Sequence, residues 1–190
     1  LTHPGIDAIS FVGSTPVAHI VQDTGVAHGK RVQALGGANN HAIVMPDADV
    51  EFAAQHISAG AFGAAGQRCM ALPVIVAVGG IEDKLVPAIK ERAERIVVGP
   101  GTDPASEMGP VITRSSQERI TGWINEAEAR GATVVLDGRG YRPEGEEYAD
   151  GFWLGPTILD NVDRDLSVYC EEVFGPVLVV IRAQTYEEAI

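Results

Sequence analysis

Cysteine is scarce in this chain of 190 residues: two are present, Cys69 and Cys170. A pair so far apart makes no disulfide framework, and a reducing compartment is expected. Neither cysteine has a soft ligand nearby, and the five histidines (3, 19, 28, 41 and 56) lack metal-binding spacing, so no metal site is expected. Positive charge is also short. The 14 Lys and Arg residues stand against 26 Asp and Glu, a formal charge of −12, which argues against binding nucleic-acid phosphates. Apolar runs are brief, as in Val74–Val78, and none is long enough to cross a bilayer. A Walker loop, a Gly-x-Ser-x-Gly elbow and a full Gly-x-Gly-x-x-Gly fingerprint are all missing.

The sequence otherwise has the composition of a globular protein, with 45% hydrophobic and 21% charged residues. Its length suits one well-filled domain, or one domain with part of another. The chain begins at Leu1 rather than Met, and Thr185 and Glu188 near its end have the spacing of a helix capping box. It therefore reads as part of a longer protein, in which missing localisation signals carry no weight.

Strand-like and helix-like segments alternate, the pattern of α/β architecture. Ile6–Val12 reads as a strand, and Thr15 followed by Pro16 reads as an N-cap and first helical residue. Gly29 ends that helix and Arg31–Leu35 is the next strand, completing one βαβ unit. A strand at His41–Met45 follows, then a helix from Asp49 whose small-residue stripe runs to Ala65. Further expectations are strands at Val74–Val78, Ala132–Leu136, Phe152–Ile158 and Val177–Ile181, and a helix over Asp83–Ile96. Ser115 and Glu118 form a second capping box, opening a helix that buries Ile120, Trp123, Ile124 and Ala127.

Four short stretches could carry chemistry. In Gly66-Gln67-Arg68-Cys69, a thiol has a charged neighbour and a glycine that permits a tight backbone; read alone, a small buried hydrophobe is the better reading of Cys69. Gly13 and Ser14 precede a helix, where amides and dipole favour a phosphate, although ordinary capping also explains them. Leu35-Gly36-Gly37 closes a parallel strand at the end where α/β proteins place ligands, or forms a plain turn. Glu171-Glu172-Val173-Phe174-Gly175-Pro176 sets a carboxylate and an aromatic ring before a strand, or forms a solvated loop.

Taken in order and spacing, Phe11-x-Gly13-Ser14-Thr15, Leu35-Gly36-Gly37, Gly66-Gln67-x-Cys69 and Glu171-Glu172-x-Phe174-Gly175-Pro176 resemble the aldehyde dehydrogenase superfamily over essentially the whole chain. Ala34–Asp49, Gly66–Ala71 and Val98–Pro110 are most similar to its methylmalonate-semialdehyde dehydrogenase branch. The resemblance implies an α/β fold: residues 1–36 as the last βαβ of a Rossmann-like NAD-binding domain, and 37–190 as most of a three-layer catalytic domain. It implies that Cys69 is the nucleophile, that Glu172 binds the nicotinamide ribose and that Phe174 packs near the ring. Gly13 and Ser14 are implied beside the pyrophosphate, and Leu35 near the carboxamide.

Hydrolytic members of that family carry Glu immediately before Leu-Gly-Gly, where this chain has Ala34. A methyl group takes no proton from water, so the resemblance implies coenzyme A as the acyl acceptor. Arg68 suits the carboxylate of a malonate- or methylmalonate-type semialdehyde, or tunes the Cys69 thiolate. The expectation is an NAD-dependent, CoA-acylating semialdehyde dehydrogenase, homo-oligomeric, placed in the cytoplasm of a bacterium or the mitochondrial matrix of a eukaryote, with these 190 residues inactive alone. The alternatives are a hydrolytic aldehyde dehydrogenase whose base lies elsewhere, and a catalytically silent structural or interaction fragment.

Overall fold

The computed structural model describes residues 1–190, which divide into two compact units, Leu1–Ala38 and Asn39–Ile190. The first is a single βαβ. Strand β1 (Ala8–Val12) lies parallel to β2 (Arg31–Leu35), with Ala8 opposite Arg31 and Val12 opposite Leu35, and helix α1 (Thr15–Ala27) crosses between them. The helix buries Ala18, Val21 and Gly25. A Cβ at Gly25 would run into the Val32 side chain, so glycine lets α1 lie close on the strand.

Ser14, not Thr15, occupies the N-cap, and its hydroxyl makes no capping bond. The Thr15 hydroxyl accepts instead from the Gly37 N–H at 2.9 Å, tying the turn beyond β2 to the start of α1. That long-range partner is what the local capping pattern did not disclose.

The second unit is built on a five-stranded sheet of order β3-β4-β7-β6-β5. Here β3 is His41–Val44, β4 is Val74–Val78, β5 is Thr133–Leu136, β6 is Thr157–Asp160 and β7 is Val177–Ala183. All neighbours are parallel except β5 and β6, which run antiparallel. Every residue of β4 is buried, as a central strand between covered faces requires. Helices α2 (Val50–Phe62) and α3 (Glu82–Glu94) cover one face, where Ile57, Phe62, Leu85 and Ile89 join Ile75, Leu178 and Val180 in one core. Helix α4 (Arg114–Ala129) and the single turn α5 (Ser167–Cys170) belong to a second core, where Ile120, Ile124 and Ala127 join Val74, Leu159 and Val179. The three-layer, mostly parallel arrangement agrees with the fold class expected from the sequence. The chain ends in a short helix α6 (Tyr186–Ala189).

Three of the boundaries that differ from expectation have a clear local cause. The stripe that opened at Asp49 does not run through Ala65: α2 stops at Phe62, and Ala64 and Ala65 take left-handed conformations with φ of 52° and 53°. Helix α4 is capped by Thr113, whose hydroxyl accepts from the Ser116 N–H at 3.1 Å, so Ser115 lies inside the helix instead of opening it. The apolar run from Phe152 becomes a paired strand only at Thr157, because the preceding backbone packs on a turn, with the Gly155 N–H donating to the Gly138 carbonyl at 2.9 Å.

Candidate active site

Cys69 lies in a turn between α2 and β4 and is exposed. The turn closes with the Ala71 N–H donating to the Arg68 carbonyl at 2.9 Å. It is held from three sides. Gln67 donates through Nε2 to the Pro110 carbonyl at 3.2 Å and accepts at Oε1 from the Ile112 N–H at 2.8 Å. Asn40 Nδ2 donates to the carbonyls of Cys69 and Ala71, each at 2.8 Å. The Leu72 N–H donates to the Gly60 carbonyl at 3.0 Å. Since a peptide unit is planar, the bond on the Arg68 carbonyl also sets the direction of the Cys69 N–H, which faces away from it. That N–H has no acceptor within the chain.

The left-handed Ala64–Ala65 pair turns the backbone out of α2 so that Gly66, at φ of 67°, meets the chain at Gly175. A Cβ at Gly66 would overlap the Gly175 carbonyl. Backbone therefore lies on backbone where the Cys69 turn meets the loop of Glu172 and Phe174. That loop has its own strain and its own anchor. Phe174 sits at φ of 49°, unusual for an aromatic residue. Arg119 on α4 donates to the Val173 carbonyl at 2.9 Å, and its guanidinium lies 4.5 Å from the centre of the Trp123 ring. Burial lowers the Arg119 pKa from its ordinary value, and the Glu172 charge acts in the opposite direction. Glu172 and Phe174 are half-buried.

Arg68 is exposed, and its guanidinium turns back over Gly63. Nη2 donates to the Ala59 carbonyl at 2.8 Å, at the C-terminal end of α2, where a cation also meets the negative end of the helix dipole. Nε and Nη1 have no acceptor within the chain.

In the first unit, the Gly13 N–H donates to the Leu35 carbonyl at 3.1 Å, joining the ends of β1 and β2. Gly13, Ser14 and Leu35 are exposed or half-exposed there, and the first turn of α1 holds no acidic residue. An anion approaching those amides would meet no like charge from the first turn of the helix. Asn40, Gln67 and Arg119 were not singled out in the sequence as site residues. Their partners lie 31, 45 and 54 positions away, beyond the reach of any local pattern.

The turn geometry and motifs have a counterpart among known proteins. The family model for the aldehyde dehydrogenase family matches residues 1–190, and the chain belongs to that family. At finer grain, it is 50% identical over 190 residues to malonate-semialdehyde dehydrogenase 3 of Geobacillus kaustophilus, covering all of this chain and 39% of that protein. Among solved structures, it superposes with a TM-score of 0.95 and 44% identity on a Sinorhizobium meliloti protein, described as a methylmalonate-semialdehyde dehydrogenase and complexed with NAD, over 99% of this chain and 38% of that one. Methylmalonate-semialdehyde dehydrogenase of Oceanimonas doudoroffii gives a TM-score of 0.93 and 49% identity, over 99% and 38%. The chain thus spans 38–39% of the length of these relatives.

Proposed function

We propose that this chain is the cysteine-bearing part of an NAD-dependent, CoA-acylating dehydrogenase for malonate or methylmalonate semialdehyde. The observation that carries the reading is the backbone contact of Gly66 with Gly175, which joins the turn of Cys69 to the loop of Glu172 and Phe174. Relatives described as malonate- and methylmalonate-semialdehyde dehydrogenases over the full length of the chain support the substrate class.

In this reading the Cys69 sulfur adds to the aldehyde carbon, and the carbonyl oxygen takes up the negative charge as a thiohemiacetal forms. The Cys69 N–H, free of any protein acceptor, donates to that oxygen. NAD, when bound, would supply a hydride acceptor, and loss of hydride from the Cys69 adduct leaves a thioester on the sulfur. Within the first unit Gly13, Ser14 and Leu35 would take the pyrophosphate and carboxamide of NAD, and within the second Glu172 and Phe174 would take its ribose and nicotinamide. Arg68 keeps the N–H groups of Nε and Nη1 for the substrate carboxylate, the group later lost as CO₂. The thiol of coenzyme A then attacks the acyl carbon, and Cys69 leaves as thiolate. Alanine at position 34 supports this acceptor over water, because no carboxylate stands there to take a proton from water.

The test is NADH formation with and without coenzyme A, in a protein of the relatives' full length that carries this chain. Turnover is expected to depend on coenzyme A and to yield propionyl-CoA or acetyl-CoA with CO₂. Ala34→Glu is expected to add CoA-independent turnover. Full activity of the unsubstituted protein without coenzyme A would overturn the acylating reading.

A further inference from the structure

We infer that Asn40 is a positioning residue that locks the turn carrying Cys69 through the carbonyls of Cys69 and Ala71, holding the central peptide of that turn in one orientation beside the thiol. The inference rests on the reading of Cys69 as the nucleophile. Residues Arg68 to Ala71 form a four-residue turn closed by the Ala71 N–H on the Arg68 carbonyl. Such turns have two common forms that differ by reversal of the central peptide, here the one joining Cys69 to Met70. Reversal would swing the Cys69 carbonyl to the opposite side of the turn and rotate Cys69 about its ψ angle by roughly 150°. Met70 lies outside the left-handed region, so the observed form is the one that does not require a positive φ at its third position.

Asn40 Nδ2 donates to the carbonyl of that central peptide at 2.8 Å. Its second bond, on Ala71 at 2.8 Å, grips the residue that closes the turn. The two bonds use both hydrogens of one carboxamide. They tie the turn to the residue directly before strand β3, whose register with β4 pairs His41 with Val74. Cys69 and Met70 are both exposed, Met70 by 85%, so packing does little to hold this peptide. With the carboxamide removed, water competes for both carbonyls and the central peptide can reverse. The Cys69 carbonyl and the Met70 N–H then exchange sides of the turn for part of the time and change the peptide dipole facing the thiol, while the Cys69 N–H keeps the direction set by the turn-closing bond.

Asn40→Ala removes both donors. Asn40→Asp keeps the shape and presents a carboxylate to the two carbonyls. The readouts are kcat and KM for the aldehyde, the pH profile of Cys69 alkylation by iodoacetamide relative to Cys170 in the same molecule, and the melting temperature, all in the full-length protein. In both variants kcat is expected to fall about tenfold or more, the loss corresponding to two ordinary hydrogen bonds. KM should stay within about threefold, as for an interaction that acts on the transition state. The pH profile of Cys69 should shift while that of Cys170 stays put. Folded variants with unchanged kcat and an unchanged Cys69 profile would overturn the inference. So would loss of the fold in both, since Asn40 would then be a purely structural residue. If Cys69 reacts no faster than Cys170 in the unsubstituted protein, the nucleophile reading itself falls, a failure visible before any variant is made.

Discussion

Adding one methyl group at Gly66 tests the contact on which the site depends. Gly66 has φ of 67°, and a Cβ there would overlap the Gly175 carbonyl and lie 3.0 Å from the Ala61 carbonyl. Two costs add. A side chain in the left-handed region costs about 1–2 kcal/mol. Forcing apart packed groups costs about 1–3 kcal/mol more, and here the neighbour is backbone, with no rotamer to escape into. Gly66→Ala should therefore destabilise by about 2–5 kcal/mol. Gly80→Ala separates the two effects: Gly80 has φ of 87° but nothing within 4 Å of its would-be Cβ, so only the conformational cost applies. Urea unfolding of both variants gives the difference directly, expected at about 1–3 kcal/mol. Iodoacetamide alkylation adds a second reading, in which Cys69 should change relative to Cys170 in Gly66→Ala and not in Gly80→Ala. Equal stability losses in the two variants, with Cys69 unaffected in both, would refute the close approach of the two loops.

Further outcomes are expected. Arg119→Met removes the charged donor to the Val173 carbonyl, at 2.9 Å, while keeping much of the packing on Trp123. Hydrogen bonds to charged groups contribute about 1.5–3 kcal/mol. The KM for NAD should thus rise about tenfold or more if Glu172 and Phe174 hold the cofactor, and steady-state kinetics at saturating aldehyde checks it. Arg139 holds the Asp137 carboxyl below the usual carboxylate range, chiefly by hydrogen bonding. A carboxyl whose pKa is lowered on folding stabilises the protein above about pH 4 and loses that contribution as pH falls through the lowered value. Arg139→Gln should therefore flatten the stability profile below about pH 4 and leave its slope near neutrality unchanged, as acid titration followed by circular dichroism would show. The 190-residue chain by itself is expected to produce negligible NADH, since it spans 38–39% of the length of its relatives. Robust turnover by the purified chain would contradict this.

Local chemistry made much of the architecture legible. Apolar β-branched runs marked Val74–Val78 and Val177–Ile181 as strands, and Asp49 caps α2 as its position implied, accepting from the Phe52 N–H at 3.0 Å. Such signals are carried by residues within one or two turns of each other, so the chain itself displays them. The same locality explains the errors. Ser115 with Glu118 has the form of a cap, yet Thr113 two residues earlier captures the helix, and the small-residue stripe of α2 continues in sequence past the point where the helix ends.

The sequence alone determined the alternation of strands and helices, the family resemblance, and which thiol and cofactor residues are the candidates. Tertiary structure alone decided what holds them. Gly66 meets Gly175, Arg119 holds Val173, and Asn40 spans Cys69 and Ala71, each across tens of intervening residues. Contacts between segments so distant depend on how the sheet orders its strands and how each loop leaves its helix. Neither quantity is a property of any short stretch of residues. The chain can therefore announce a candidate thiol, while the contacts that hold its turn exist only once the fold has closed around it.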